Sequence, residues 1–322
     1  MNANATRNDH INTDHPSVEH TNTSLMSSER VLTFPCAEAQ LIGILHEPAA
    51  ADSPLSHTGV VIVVGGPQYR VGSHRQFVLL ARQLAAAGIP VLRFDYRGMG
   101  DSTGEARDFE QIDADIRAAC DALCAANPAV RQLVLWGLCD AASAALFYAH
   151  TDARVAGLVL LNPWLRQAQA QAKTVIQHYY KQRLFSAGLW RKLLRGEFDF
   201  RASLRSLLTT LRQASAGNRA SANAAGTETG MRGSLSERMA QGWQKFNGPI
   251  QLILSGDDLV AREFETVSSQ QPEWRGLLSA ARVQQLAMPA ANHTFARAEW
   301  RDAVATATRD FVLALPSKAG PT

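Results

Sequence analysis

The chain has 322 residues, of which 46% are hydrophobic and 19% charged, so it can bury a substantial core and is not globally disordered. Its 32 basic and 29 acidic residues leave a net charge of +3, which gives no indication of a nucleic-acid partner. No run of 18 apolar residues occurs, and four cysteines in a chain of this length do not make a disulfide scaffold. We therefore expect a soluble, cytoplasmic protein without a membrane span.

The first 30 residues are rich in Asn, Thr, Ser and His and contain no apolar segment of the length that a secretory signal needs. Three histidines in this segment, His10, His15 and His20, recur at intervals of five residues. A metal-binding tract would need neighbours that hold these side chains in place, and the segment offers none. We therefore predict a solvated, disordered tail over residues 1–30.

From Val31 onward, short apolar runs alternate with segments of helical periodicity. Strands that alternate with helices of 10–15 residues are typical of parallel βαβ units with right-handed crossovers. The predicted strands are 31–34, 41–48, 60–64, 90–94, 133–136, 155–161, 249–255 and 283–288. The predicted helices between and after them are 74–88, 110–126, 142–150 and 297–314.

The pattern changes after Asn162 and Pro163. Residues 164–213 have the periodicity of helices and carry ten basic residues against two acidic ones. Residues 214–233 form a Gly-, Ala-, Ser- and Asn-rich segment of low complexity, which predicts a mobile loop. The predicted domains are a first core part over 31–163, a helical cap over 164–247 that includes this loop, and a second core part over 248–316.

A strand runs directly into the turn Gly137–Ala141 and from there into a helix. This strand–turn–helix context is typical of a nucleophile elbow, in which the residues two before and two after the nucleophile must be small. Cys139 is the central residue of the turn, and the N-terminus of the following helix favours a thiolate there. The alternative is a small buried cysteine without a chemical role. The setting favours the nucleophile.

A base and an acid follow in the chain order of an α/β-hydrolase triad, which is nucleophile, acid, histidine. His293 lies between the last predicted strand and the last predicted helix. Asp257 and Asp258 both lie just past the end of the strand at 249–255, and from their positions either could orient the imidazole. The alternative for each acid is a turn residue that hydrogen-bonds its own backbone.

The loop after the strand at 60–64 is the predicted position of the second oxyanion donor. Pro67 has no N–H, so the N–H of Gly66 is the better candidate and that of Gln68 the second. The N–H of Asp140, directly after the nucleophile, is the other predicted donor. Arg97 and Asp101, in the loop after the next strand, are predicted to anchor that loop.

Several longer blocks of the sequence match one known family. They are GGPQYRVGSHRQFVLLA (65–81), FDYRGMGDSTG (94–104), GLCDAASAALFYA (137–149), LNPW (161–164), HYYKQRL (178–184), SGDDLVAREF (255–264) and NHTF (292–295). With these blocks the chain resembles the exosortase A system-associated hydrolase 1 family over residues 31–314, apart from the low-complexity segment. The resemblance implies an α/β-hydrolase fold with an inserted helical cap, encoded beside exosortase and exopolysaccharide genes in Gram-negative bacteria. Within the pattern SGxDLxAxEF the matching acid is Asp258.

We therefore predict a hydrolase in which Cys139, His293 and Asp258 cleave an ester or thioester through an acyl-cysteine intermediate. The basic residues of the predicted cap favour an anionic small-molecule substrate, such as an acyl-CoA, an acyl-carrier thioester or an acidic glycan, although a solvated helix surface would have the same charge. No cofactor and no metal ion is expected. The alternatives are an acyltransferase that acylates a sugar hydroxyl and a non-catalytic scaffold that binds a partner through the cap.

Overall fold

The computed structural model describes residues 28–48, 56–66, 68–165 and 233–316. Its strands form one eight-stranded sheet in the order β1-β2-β4-β3-β5-β6-β7-β8, and β2 alone runs in the direction opposite to the other seven strands. The strands are β1 (Ser28–Cys36), β2 (Ala39–Glu47), β3 (Thr58–Val63), β4 (Val91–Asp95), β5 (Gln132–Leu138), β6 (Val155–Leu161), β7 (Ile250–Asp257) and β8 (Val283–Asn292).

Helices cover both faces of the sheet. They are α1 (Gln76–Ala86), α2 (Asp113–Ala126), α3 (Asp140–Ala149), α4 (Leu235–Lys245), α5 (Leu259–Gln270) and α6 (Ala298–Leu313), with three-residue 3₁₀ turns at Ser73–Arg75, Phe109–Gln111 and Pro272–Trp274. Helices α1 and α6 pack on one face, and the other four helices pack on the opposite face. Each face therefore has its own apolar cluster, and the sheet lies between the two clusters.

The central strands are continuous apolar runs because they are covered on both sides. Every residue of β3 and of β5 is buried. A parallel strand that lies between two helical layers has no solvent-facing side, so its sequence does not alternate between apolar and polar residues. Parallel strands place their carboxyl ends at one edge of the sheet, which here holds the ends of β3, β5, β6, β7 and β8. The loops that follow these ends are where ligands bind in sheets of this kind.

The predicted α/β architecture is confirmed, and the predicted strand 155–161 coincides with β6. Helix α5 is absent from the sequence-based prediction. Helix α4 falls inside the predicted cap, yet it packs against α3, and its Met239 and Trp243 are fully buried in the same cluster as the sheet residues. The remaining cap, residues 166–232 with most of the predicted loop, and the tail over 1–27 lie outside the described residues.

Candidate active site

Cys139 occupies a strained turn between β5 and α3. Its backbone angles are φ 63° and ψ −126°, a region that residues with a side chain seldom adopt. The turn is tight enough that a Cβ atom on Gly137 would lie 2.5 Å from the carbonyl oxygen of Ala141. The N–H of Cys139 donates to the carbonyl of Leu161 at 2.9 Å, which fixes the turn to the end of β6. The side chain is thereby held at the carboxyl edge of the sheet.

Asp258 and His293 form a hydrogen-bonded pair. The two atoms joined are His293 Nδ1 and Asp258 Oδ2, which are 2.8 Å apart. The carboxylate of Asp258 also caps α5, where it accepts from the N–H groups of Val260 and Ala261, and its side chain is only 6% exposed. A proton on Nδ1 satisfies this bond and leaves the lone pair on Nε2, as a general base requires. Asp257, the other candidate acid, is exposed.

Asn162, at the end of β6, was not among the predicted site residues although it ties the histidine loop to the sheet. Its side chain is fully buried, donates to Ser255 Oγ at 2.8 Å and to the carbonyl of His293 at 3.3 Å, and accepts from the N–H of Ser255 at 2.9 Å. Its φ of 42° is in the left-handed region, which Asn tolerates better than most residues. That tolerance, in the sequence Leu161–Asn162–Pro163 at a strand end, is the signal that could have identified it.

The surroundings of Cys139 favour the protonated thiol. Burial raises its pKa to about 12, the carboxylates of Asp140 and Asp258 add to the rise, and the N–H of Asp140 opposes it. The expectation that the helix N-terminus favours a thiolate is therefore wrong, because the effect of burial on the pKa is larger. Within the described part of the chain, His293 is hydrogen-bonded to Asp258 and not to Cys139 Sγ. The two side chains, both among the described residues, thus lie at the same sheet edge without a hydrogen bond between them.

The predicted oxyanion donor of the loop after β3 has an unexpected acceptor. The N–H of Gly66 donates to Asp140 Oδ2 at 2.8 Å, so it is engaged rather than free. The other oxygen, Asp140 Oδ1, accepts from the N–H of Ala141 at 3.0 Å. Gln68, the second candidate, uses its side-chain oxygen to accept from the N–H of Ser73 at 3.1 Å. The side chain of Asp140 has no role in the sequence-based prediction.

The loop after β4 is held by buried ion pairs. Arg97 makes a two-pronged contact with Asp115, with a shortest distance of 2.7 Å, and Asp115 is fully buried. Arg70 contacts the buried carboxylate of Asp95 and also Asp101, at 2.6 Å from the latter. Both Arg97 and Asp101 are therefore in contacts that anchor loops.

Four cysteines are present as free thiols, and Cys36, Cys120 and Cys124 all have a pKa raised chiefly by burial. Among the residues that the structure describes, no group of three or more His, Cys, Asp or Glu side chains could hold a metal ion. In the same ranges, no helix combines the length and the apolarity needed to cross a membrane.

The sheet order, the turn at Cys139 and the Asp258–His293 pair define an α/β-hydrolase. The family model described as serine aminopeptidase, S33, matches residues 56–271, and the chain belongs to this hydrolase family. The description of the family refers to serine, whereas the turn of this chain carries Cys139. The chain is thus a member of this hydrolase family that carries a cysteine at the candidate nucleophile position.

Solved structures share this fold at low sequence identity. The Pyrococcus furiosus esterase Pf2001 is 14% identical with a TM-score of 0.60, over 92% of this chain and 94% of that one. A serine hydrolase without a lid from Xanthomonas campestris is 16% identical with a TM-score of 0.53, over 91% and 97%. The hypothetical protein PA2218 from Pseudomonas aeruginosa is 16% identical with a TM-score of 0.55, over 89% and 94%. No curated protein matches the chain.

Proposed function

We propose that the protein cleaves an ester or thioester through an acyl-cysteine intermediate on Cys139. The observation that carries this proposal is the strained φ of Cys139, because a turn of this kind presents a nucleophile above the sheet and costs free energy that a purely structural cysteine does not require. The Asp258–His293 pair, 2.8 Å between Oδ2 and Nδ1, supplies an oriented base at the same edge.

The high thiol pKa makes proton removal part of the attack. His293 Nε2 takes the proton from Cys139 Sγ while the sulfur forms a bond to the carbonyl carbon, which produces a tetrahedral oxyanion. Collapse of this intermediate breaks the bond to the alcohol or thiol leaving group, which receives the proton from His293. A water molecule, deprotonated by His293, then attacks the acyl carbon. The sulfur leaves, regains the proton and releases a carboxylic acid.

The substrate proposal rests on the sequence resemblance. The blocks shared with the exosortase A system-associated hydrolase 1 family favour an acyl ester or thioester of exopolysaccharide assembly. The ten basic residues within 164–213 favour an anionic group on it, such as the phosphates of an acyl-CoA or acyl carrier, or the acid of a glycan. The name of the Pyrococcus furiosus esterase supports carboxylic esters as the first compounds to test.

The test is to detect the acyl group on the protein. The full chain is mixed with p-nitrophenyl acetate, p-nitrophenyl butyrate and a series of acyl thioesters, quenched with acid within seconds, and analysed by intact mass and by turnover. We expect an acyl adduct on the unmodified chain and none on Cys139→Ala. The matched control is Cys124→Ala, which removes a half-buried thiol from α2 and should leave both the adduct and turnover unchanged.

Turnover that is unchanged in Cys139→Ala would contradict the proposed nucleophile. A chain that neither forms an adduct nor turns over any of these compounds would favour the non-catalytic scaffold. An acyl group that is recovered on an added sugar rather than as free acid would favour the acyltransferase.

A further inference from the structure

The carboxylate of Asp140 lies among the backbone N–H groups that should bind the oxyanion. The N–H of Gly66 donates to Oδ2 at 2.8 Å, and the N–H of Ala141 donates to Oδ1 at 3.0 Å. The N–H of Asp140 lowers the pKa of Cys139 and so favours an anion at the sulfur. An oxyanion hole is built from donors of this kind, after the nucleophile and in the loop after β3. One of the two predicted donors, the N–H of Gly66, is thus directed at a carboxylate that the chain carries itself.

The glycines of the facing loop leave room for that carboxylate. A Cβ atom on Gly65 would lie 2.1 Å from Asp140 Oδ1. Any residue larger than glycine at this position would therefore displace the carboxylate. It would also lie 2.9 Å from the N–H nitrogen of Ala141. Gly66 donates its N–H to the carboxylate, and its φ of 59° is readily adopted by glycine. The Gly65–Gly66 pair and Asp140 therefore fit each other.

We propose that the Asp140 carboxylate is a built-in occupant of the oxyanion hole, which the carbonyl oxygen of the substrate must displace before Cys139 can attack. The proposal deepens the proposed function and rests on it, because it assigns a regulatory role to a side chain at the same site. Displacement needs only rotation of the Asp140 side chain and breaks its hydrogen bond to Gly66. No covalent bond changes in this step.

Charge supports this role. Two anions cannot share one set of donors, so the carboxylate and the developing oxyanion compete for the N–H of Gly66. Burial raises the pKa of Asp140, while the N–H groups of Gly66, Ala141 and Asp140 lower it in part, so the donors stabilise the ionised carboxylate in its pocket. A charged acceptor on a backbone N–H is among the stronger hydrogen bonds in a protein. The N–H of Gly66 therefore already has a carboxylate oxygen as its acceptor.

The test compares Asp140→Ala, which empties the hole, with Asp140→Asn, which keeps a neutral acceptor of the same shape. The control is Asp108→Asn, because Asp108 is an exposed carboxylate that acts on Asp140 through its charge but binds the N–H of Glu110 instead of that of Gly66. We expect kcat/KM for p-nitrophenyl acetate to rise about tenfold or more in Asp140→Ala, to rise less in Asp140→Asn, and to change little in Asp108→Asn. Values of kcat/KM at or below that of the unmodified chain in both folded Asp140 variants would overturn the proposal.

A second measurement does not depend on turnover. Formate has the shape of the deleted carboxylate and should fill the emptied hole, so we expect a saturable shift of the Gly66 amide resonance in a glycine-labelled chain that carries both Cys139→Ala and Asp140→Ala. The single variant Cys139→Ala should show no such shift. If no variant hydrolyses any ester, the proposed function fails while the formate titration still decides the role of Asp140. A titration without a shift in the double variant would refute that role.

Discussion

The sulfur of Cys139 lies in surroundings that favour its protonated form. Burial raises the pKa of the thiol to about 12, and the carboxylates of Asp140 and Asp258 act in the same direction. The helix N-terminus and the N–H of Asp140 favour the anion, but their contribution is smaller than the cost of burying an uncompensated charge. Burial is thus the main cause of the raised pKa of Cys139, and the carboxylate of Asp140 adds to it.

We predict that Cys139 reacts slowly with iodoacetamide at neutral pH. Each unit of pKa above that of a free thiol lowers the thiolate fraction at pH 7 about tenfold, so a pKa of about 12 makes the reaction at least about a hundredfold slower than that of free cysteine. The rate should still be rising at pH 10. Peptide mass analysis of timed samples at several pH values measures it, with glutathione as the reference thiol.

Removing the neighbouring negative charge should change this rate in a known direction. A carboxylate beside a thiol raises the thiol pKa, so Asp140→Asn is expected to lower the pKa of Cys139 and to speed alkylation at pH 7. Fast alkylation of the unmodified chain, with an apparent pKa below that of a free cysteine, would contradict the protonated resting state.

Asn162 connects three neighbouring strands of the sheet. It follows β6, its N–H donates to the carbonyl of Ile253 in β7 at 3.1 Å, and its side chain reaches the carbonyl of His293 after β8 at 3.3 Å. One of these contacts holds the backbone of His293, the proposed base. The position of His293 therefore depends on a side chain that has no part in proton transfer.

We predict that Asn162→Ala lowers both stability and turnover. The substitution leaves the N–H and the hydroxyl of buried Ser255 without their partner, which should cost about 1–3 kcal/mol in the free energy of unfolding, measured in urea. It should also lower kcat more than it raises KM, because the imidazole loses its alignment before binding is affected. The control is Asn127→Ala, which removes a single turn hydrogen bond to Ala129 at the surface end of α2. Equal effects of the two substitutions would contradict the role of Asn162.

The sequence predicted the strands well because their apolar runs are long and their ends are marked by polar or glycine residues, as at Asn162 and Gly65. It did not predict α5, because Asp258 is compatible with two roles, a triad acid and the N-cap of a helix, and the prediction considered only the first. The charge state of Cys139 and the side-chain position of Asp140 depend on burial and on contacts between residues 74 positions apart, which no local pattern encodes.

On the side of the sheet formed by β1, β2 and β4, a polar cluster surrounds the buried side chains of His46 and Arg93. His46 in β2 is fully buried, and its Nε2 accepts from Arg93 Nε in β4 at 2.8 Å. Glu29 in β1 lies 3.8 Å from His46 Nδ1 and binds Arg82 of α1 at 2.5 Å. The cluster thus connects β1, β2, β4 and α1 through groups whose charges depend on pH.

We predict that this cluster makes the fold less stable as the pH falls. Burial, together with the charge of Arg93, lowers the pKa of His46 from 6.5 to about 4, so between these values the unfolded chain binds a proton that the folded chain does not. A lowered histidine pKa stabilises the fold above about pH 6.5, and this contribution is lost as the pH falls toward 4. From pH 7 to pH 5 the loss is about 2 kcal/mol.

Urea unfolding at the two pH values should show this loss in the unmodified chain and in His57→Gln, which alters an exposed histidine. In His46→Gln the difference should shrink by about that amount, since glutamine can still accept from Arg93 and does not titrate. An undiminished difference in His46→Gln would assign the pH dependence to other groups.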